Sequence, residues 1–238
     1  MGAVSFNSFA QESDTTSINK QTLEPVEIRA LRATSDAPFA KTELRKDEIE
    51  RQNLGQDIPY LLQYTPSAVV TSDAGTGIGY TGLRIRGTDN TRINVTLNGI
   101  PVNDAESQGT FFVNFPDLIS STTSLQVQRG VGTSTNGAGA FGATMSISNL
   151  DQMTEAGVEV NNSFGSFNTL KNTVKVGTGL LDNGLQFDLR LSRISADGYR
   201  ERSSSLLKAL QFIGGYKISE DTRLRFMVMT GSERTGQA

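Results

Sequence analysis

The sequence predicts an α+β region of short mixed strands and helices, followed by a run of long antiparallel strands. Three observations carry this expectation. Between Pro38 and Asn149, short apolar runs alternate with Gly, Pro and Asn-Gly punctuation. From Gly157 onward, apolar and polar residues alternate in long segments parted by turns. No stretch of the 238 residues approaches ~18 consecutive apolar positions, which excludes a transmembrane helix but leaves membrane-crossing strands open.

The elements follow in chain order. In "MGAVSFNSFAQESDTT", Ser8 and Ala10 place small residues at −3 and −1 of an export cleavage before Gln11, although no Lys or Arg precedes the short apolar stretch. Residues 1–21 are therefore read either as the end of a signal peptide or as a disordered terminus. "TLEPVEI" (Thr22, Leu23, Glu24, Pro25, Val26, Glu27, Ile28) is extended, because Pro25 forbids helix and biases Glu24 away from it. A linker follows to residue 37, and compact structure begins near Pro38. Thr42 caps a helix over "ELRKDEIERQNL", ended by Gly55; Asp57 caps a second over "IPYLLQY", closed by Pro66. Strands are expected at 68–72, 83–87, 92–102, 124–130 and 144–148, with a turn at Asn98-Gly99 and a helical turn opened by Pro116 and Asp117.

In the C-terminal region Leu185, Phe187, Leu189 and Leu191 oppose Gln186, Asp188, Arg190 and Ser192, the cleanest alternation in the chain. Segment 206–217 is less regular, because Lys208 falls among Leu206, Leu210 and Phe212. "LDNG" and "ISED" are tight turns, whereas "ADGYRERSSS" is a long polar connection. That asymmetry suits a membrane-crossing meander. An antiparallel sandwich with one face in water gives the same period, and period alone does not choose between them.

Composition excludes several chemistries. There is no Cys, His or Trp, so thiolate metal sites, most zinc chemistry and nucleophiles paired to His are absent. A net charge of −3 with scattered basic residues argues against nucleic acid. "GIGYTG" (77–82) and "GAGAFG" (137–142) satisfy the dinucleotide-binding pattern, yet both lead into alternating strands rather than into a helix that would face a pyrophosphate. No cofactor, metal or catalytic residue is expected.

"GLRIRGTDNTRINVTLNGIPVND", with "SLQVQRGVGTSTNGAGAFGATMSISN" about 45 residues on, resembles the plug domain of TonB-dependent outer-membrane receptors of Gram-negative bacteria. "GIPVNDAESQG" is similar to receptors of the Bacteroidetes lineage. The resemblance covers residues 22–238. It implies an α+β plug over 38–150, then transmembrane β-barrel strands over 151–238. It also implies a TonB box at Thr22–Ile28, pairing by strand addition with TonB and its ExbB/ExbD energy complex. Arg86 and Arg129 match plug arginines that pair with barrel glutamates lying mostly beyond residue 238. The plug and its glycines imply cargo contacts at Gly77, Gly79, Tyr80, Asp104, Glu106, Phe111 and Phe112.

The implied function is active uptake of a scarce nutrient, such as a ferric siderophore or other iron complex. Expected partners are TonB, outer-membrane lipid and a small-molecule ligand, with the N-terminus periplasmic. The 88 residues from Asp151 to Ala238 allow only about five crossings, against about 22 strands in receptors of this kind, so the front part of a receptor cut mid-barrel is expected. A secreted β-rich binding or adhesion protein is the alternative; it requires Leu185–Leu191 to pack on a second sheet.

Overall fold

The computed structural model describes residues 32–34, 37–132, 136–137, 139–219 and 221–236. The signal-peptide reading and the TonB box at Thr22–Ile28 lie outside them.

A five-stranded mixed sheet organises the first part, in the order β1-β6-β7-β4-β5. Its strands are β1 (Lys41–Arg45), β4 (Ile93–Leu97), β5 (Ile100–Pro101), β6 (Ser124–Arg129) and β7 (Ala143–Ser148). β4 and β7 run parallel, and the other pairs are antiparallel. A separate hairpin joins β2 (Ala68–Ser72) to β3 (Thr81–Ile85). Asn98 and Gly99, at φ 52° and 84°, make the tight reversal between β4 and β5, as the expected primed turn requires. The core between these sheets and the helices includes Ile49, Leu62, Ile85, Leu125, Met145 and Ile147.

Two helix expectations need correction. Residues 41–45 form β1, pairing with β6 from Lys41↔Gln128 to Arg45↔Ser124, and helix α1 starts only at Lys46 and ends at Gln52. The open edge of β6 outcompetes helix propensity there, and Glu48, not Thr42, reaches back to the Arg45 amide (3.0 Å). Helix α2 is a single turn, Ile58–Leu61, and Asp57 does not cap it through its side chain.

The second part is an antiparallel meander, β8 (Ala156–Gly165), β9 (Thr169–Thr178), β10 (Leu185–Ala196), β11 (Ser205–Lys217) and β12 (Arg223–Thr235), paired in sequence order. Its faces are inverted relative to a sheet in water. On β10, Gln186, Asp188, Arg190 and Ser192 are buried, while Leu189 and Leu191 are 36% and 47% exposed. Val158, Val174, Phe226 and Val228 on the neighbouring strands are exposed as well. Among the described residues no second sheet covers this apolar face, so the packing that a sandwich requires is not found. The polar face turns instead toward the first part of the chain, and Met227 and Met229 of β12 pack on its core.

Candidate site at the interface between the two sheets

The polar face of the β8–β12 sheet grips the first part of the chain in three places. The central one is built around Asp117. Pro116 precedes it, and Asp117 adopts the left-handed conformation (φ 49°, ψ 39°) ahead of a 3-10 turn, Leu118–Ser121. Asp tolerates that conformation better than most residues, and here it aims the carboxylate at β9 and β10. Arg190 Nη1 donates to Asp117 Oδ2 and to the Asp117 carbonyl, both at 3.1 Å. Ser192 Oγ also donates to Oδ2, and Ser120 Oγ donates to Oδ1 at 2.7 Å. Lys171 Nζ lies 3.8 Å from Oδ1 and donates to the side-chain oxygen of Asn53, the residue that follows α1 as its C-cap.

One carboxylate thus faces two cations, with side-chain exposures of 1% for Asp117, 4% for Arg190 and 2% for Lys171. Charges this deeply buried hold only with partners and satisfied hydrogen bonds. The arrangement is a knot that ties the 3-10 turn to β9 and β10. A cavity of 610 Å³ adjoins it, between α1, the 3-10 turn and inward side chains including Glu159, Lys175 and Gln211.

The second contact is the connection from β7 to β8. Gln211 Nε2 donates to the Asn149 carbonyl (3.2 Å), Gln186 Nε2 to the Met153 carbonyl (2.8 Å), and the Met153 amide to Asp188 Oδ2 (2.9 Å). The third is the loop between β2 and β3. Ile78 packs with Ile194, Ala196 and Leu207, and the Tyr199 amide donates to the Ala74 carbonyl at 2.9 Å.

This loop explains two of the glycines. A Cβ on Gly77 (φ 81°) would stand 2.9 Å from Gln56 and Tyr60, and one on Gly79 (φ 92°) would stand 2.5 Å from Thr235 Oγ1. Close approach is required, but what approaches is α2 on one side and β12 on the other. Both glycines are buried, and Tyr80 beside them is exposed. Of the second glycine cluster only Gly142 is crowded, against Thr88 and the Arg92 carbonyl; Gly137 and Gly139 face open space. Both clusters lead into strands, β3 and β7, as expected.

The Asp57 carboxyl lies near the same interface. It is buried and accepts from Thr81 Oγ1 at 2.9 Å. Burial pushes its pKa up to about 8, against the Thr81 hydrogen bond and with help from the nearby Glu233 and Asp117 charges.

The remaining expected positions divide. Arg129 Nη1 donates to the Pro66 carbonyl (3.1 Å), and the Arg86 guanidinium lies against Gly130. Neither is within 4.0 Å of a carboxylate among the described residues. Asp104 and Glu106 are exposed, but Asp104 is occupied in shaping its own loop. It accepts from the Ser107 amide (2.6 Å) and hydroxyl (2.8 Å), bonds that lower its pKa. Phe111 is 44% exposed, whereas Phe112 is 5% exposed and belongs to the core. Phe112 is therefore a packing residue; the side chain that starts the 3-10 turn Phe112–Asn114 points inward. Asp117 is the residue that sequence reasoning passed over, as a turn opener. The one available signal was a charged residue directly after a proline in an otherwise apolar "FPDLI".

Comparison with known proteins agrees with this geometry. Residues 33–144 match the family described as TonB-dependent Receptor Plug Domain. No curated protein matches the chain in sequence. The fold is similar to P. aeruginosa FpvA bound to heterologous pyoverdines, with a TM-score of 0.68 and 16% identity over 83% of this chain and 26% of that one. It is also similar to the copper transporter OprC (0.69, 19% identity, 86% and 32%) and to the ferric yersiniabactin uptake receptor FyuA from Yersinia pestis (0.67, 13%, 87% and 33%). The chain spans about a quarter to a third of the length of these structures.

Proposed function

We propose, from the match of residues 33–144 to the TonB-dependent receptor plug family, that the chain is the plug and leading barrel wall of an outer-membrane importer. The observation that carries this reading is the inverted sheet. Leu189 and Leu191 face outward and uncovered, while Asp188, Arg190 and Ser192 face the plug. An apolar exterior and a polar interior are what a membrane β-barrel presents to lipid and to its lumen. On this reading residues 38–150 are the plug and residues 151–238 are barrel wall.

The cargo class follows the neighbours, which carry pyoverdine, ferric yersiniabactin and copper by their descriptions. A ferric siderophore or other metal chelate is the proposed substrate. It would meet the plug at exposed positions such as Tyr80, Glu106 and Phe111. Asp104 would act by holding the 103–110 loop in shape. Transport of this kind needs no catalytic residue, because the work comes from outside the chain.

Force would enter through Thr22–Ile28, the proposed TonB box, recognised by strand addition to TonB; ExbB/ExbD would supply the energy. Among the described residues, the first anchor it would reach is at Arg32 and Ala33. The Ala33 amide donates to Gln126 Oε1 (2.8 Å), Gln126 Nε2 donates back to the Ala33 carbonyl (3.1 Å), and Arg32 donates to Ser148 Oγ (2.8 Å). A pull on the N-terminal segment is thereby delivered to β6 and β7 at the middle of the plug sheet. The Asp117 knot would hold the 3-10 turn to the wall meanwhile. Arg86 and Arg129 remain proposed partners for barrel glutamates outside this chain.

Deleting Thr22–Ile28 from the full-length gene tests the reading. Cargo is expected still to bind the cell while uptake stops, and uptake that continues would remove the box assignment.

A further inference from the structure

One rung that is polar from edge to edge crosses the largely apolar outward face of the β8–β12 sheet. Asn162 stands opposite Asn172, Asn172 opposite Arg193, Arg193 opposite Lys208, and Lys208 opposite Ser232. All five are exposed. With strands ~4.8 Å apart, the rung crosses the sheet over ~19 Å. The neighbouring rung on one side holds Val160, Val174, Leu191, Leu210 and Thr230, and the one on the other holds Phe164, Leu170 and Leu206 together with Ser195 and a further exposed cation, Arg234.

Like charges directly opposite one another in a sheet repel, so the Arg193–Lys208 pair is unfavourable without a counter-charge. The chain supplies none: among the described residues neither cation lies within 4.0 Å of a carboxylate. The nearby acids are turned away or engaged. Asp188 and Glu233 occupy the opposite face of their strands, and Asp197 accepts from Asn168. Two unneutralised cations flanked by an amide and a hydroxyl suit a ligand that brings negative charge and several acceptor oxygens.

Position identifies the ligand class. Leu185 and Arg193 share the outward face of β10, eight residues apart. At ~3.3 Å per residue and ~40° tilt, that is about 20 Å along the membrane normal, close to the ~25 Å height of a lipid-facing band. The rung therefore lies near the headgroup boundary, at the end of the sheet that carries the long 197–204 connection.

We infer that Arg193 and Lys208, flanked by Asn172 and Ser232, bind the phosphate of an anionic lipid headgroup in the leaflet at that end. The acyl chains run over Val174, Leu191 and Leu210. The inference rests on the membrane reading of the sheet proposed above.

The test is native mass spectrometry of the full-length receptor in detergent, with bis-phosphorylated lipid A, its dephosphorylated form and inorganic phosphate as probes. The Arg193→Gln/Lys208→Gln variant is expected to bind the phosphorylated lipid about thirtyfold more weakly, at roughly one surface charge each. Binding of the dephosphorylated lipid is expected to stay unchanged, and Arg193→Lys to restore most of the affinity. Heat-modifiable electrophoretic mobility checks that the variant is folded. Should the double variant not fold, Lys208→Gln alone carries the test, with about a fivefold loss. Equal binding of phosphorylated lipid to variant and wild type overturns the inference, as does equal loss for both lipids. Displacement by millimolar inorganic phosphate would mark a free-phosphate site and overturn the lipid assignment. A wild-type receptor that does not enter membranes sinks the membrane reading itself; one that enters them and fails only the lipid comparison sinks this inference alone.

Discussion

Replacing Asp117 by Asn isolates the charge at the centre of the interface while keeping shape and tolerance of the left-handed backbone. Arg190 and Lys171 would be left facing each other across the missing carboxylate, with side chains 4% and 2% exposed. Removing one partner of a buried ion pair costs about 3–5 kcal/mol, because the other charge stays buried without compensation. The low end is expected for Asn, since Arg190 keeps its 3.1 Å bond to the residue 117 carbonyl and an amide oxygen can still accept. Alanine should fall near the high end, since Ser192 Oγ and Ser120 Oγ also lose their acceptor. Urea denaturation of the full-length receptor in detergent reads the total. Hydrogen exchange over residues 112–122 reads whether the loss is local to the 3-10 turn. A double-mutant cycle with Arg190→Gln should return a coupling above ~1 kcal/mol. An Asn variant within ~0.5 kcal/mol of wild type, additive with Arg190→Gln, would refute the reasoning.

Asp57 gives a pH signature. Burial raises its folded pKa from 3.8 to about 8, so the folded state holds a proton that the unfolded state releases above pH ~4. Its contribution is fully present below pH ~4 and is lost as pH rises toward about 8. Asp57→Asn should match wild type near pH 4 and be the more stable protein near pH 8, measured by thermal melting; parallel curves across that range would contradict the assignment. For Phe112, buried at 5% exposure, truncation to Ala should cost ~3–5 kcal/mol. Phe111→Ala should stay within ~1 kcal/mol, and comparable denaturation midpoints for the two variants would overturn their division into core and surface.

Long strands were the most legible part of the chain. Leu185 to Leu191 alternate over a strand that the fold then pairs on both sides, so local period and tertiary context agree. The start of α1 was not legible in that way. Thr42 to Arg45 carry helix-compatible residues, and only β6, some eighty residues away, makes them a strand. The Asp117 knot joins Asp117 to strand residues 54 to 75 positions away, a relation that no local pattern encodes. Lys208 shows the opposite case. It spoils the alternation of β11 in sequence, and the fold places it directly opposite Arg193, so the irregularity marked a real feature of the outward face. Gly77 and Gly79 are expected from sequence as cargo contacts, whereas the fold buries them against Tyr60 and Thr235, neighbours that only the tertiary structure brings near.

The direction in which β10 turns its side chains is the hinge of the whole account, and spin labels read it one residue at a time. Cysteine is placed singly from position 186 to 192 in the full-length receptor, labelled with a nitroxide, and reconstituted into bilayers. Collision with oxygen should peak at 187, 189 and 191, the outward positions of β10, and fall at 186, 188, 190 and 192, which face the plug. A flat profile, or peaks of collision with a water-soluble relaxant at 187, 189 and 191, would mean that this face meets water or protein rather than acyl chains.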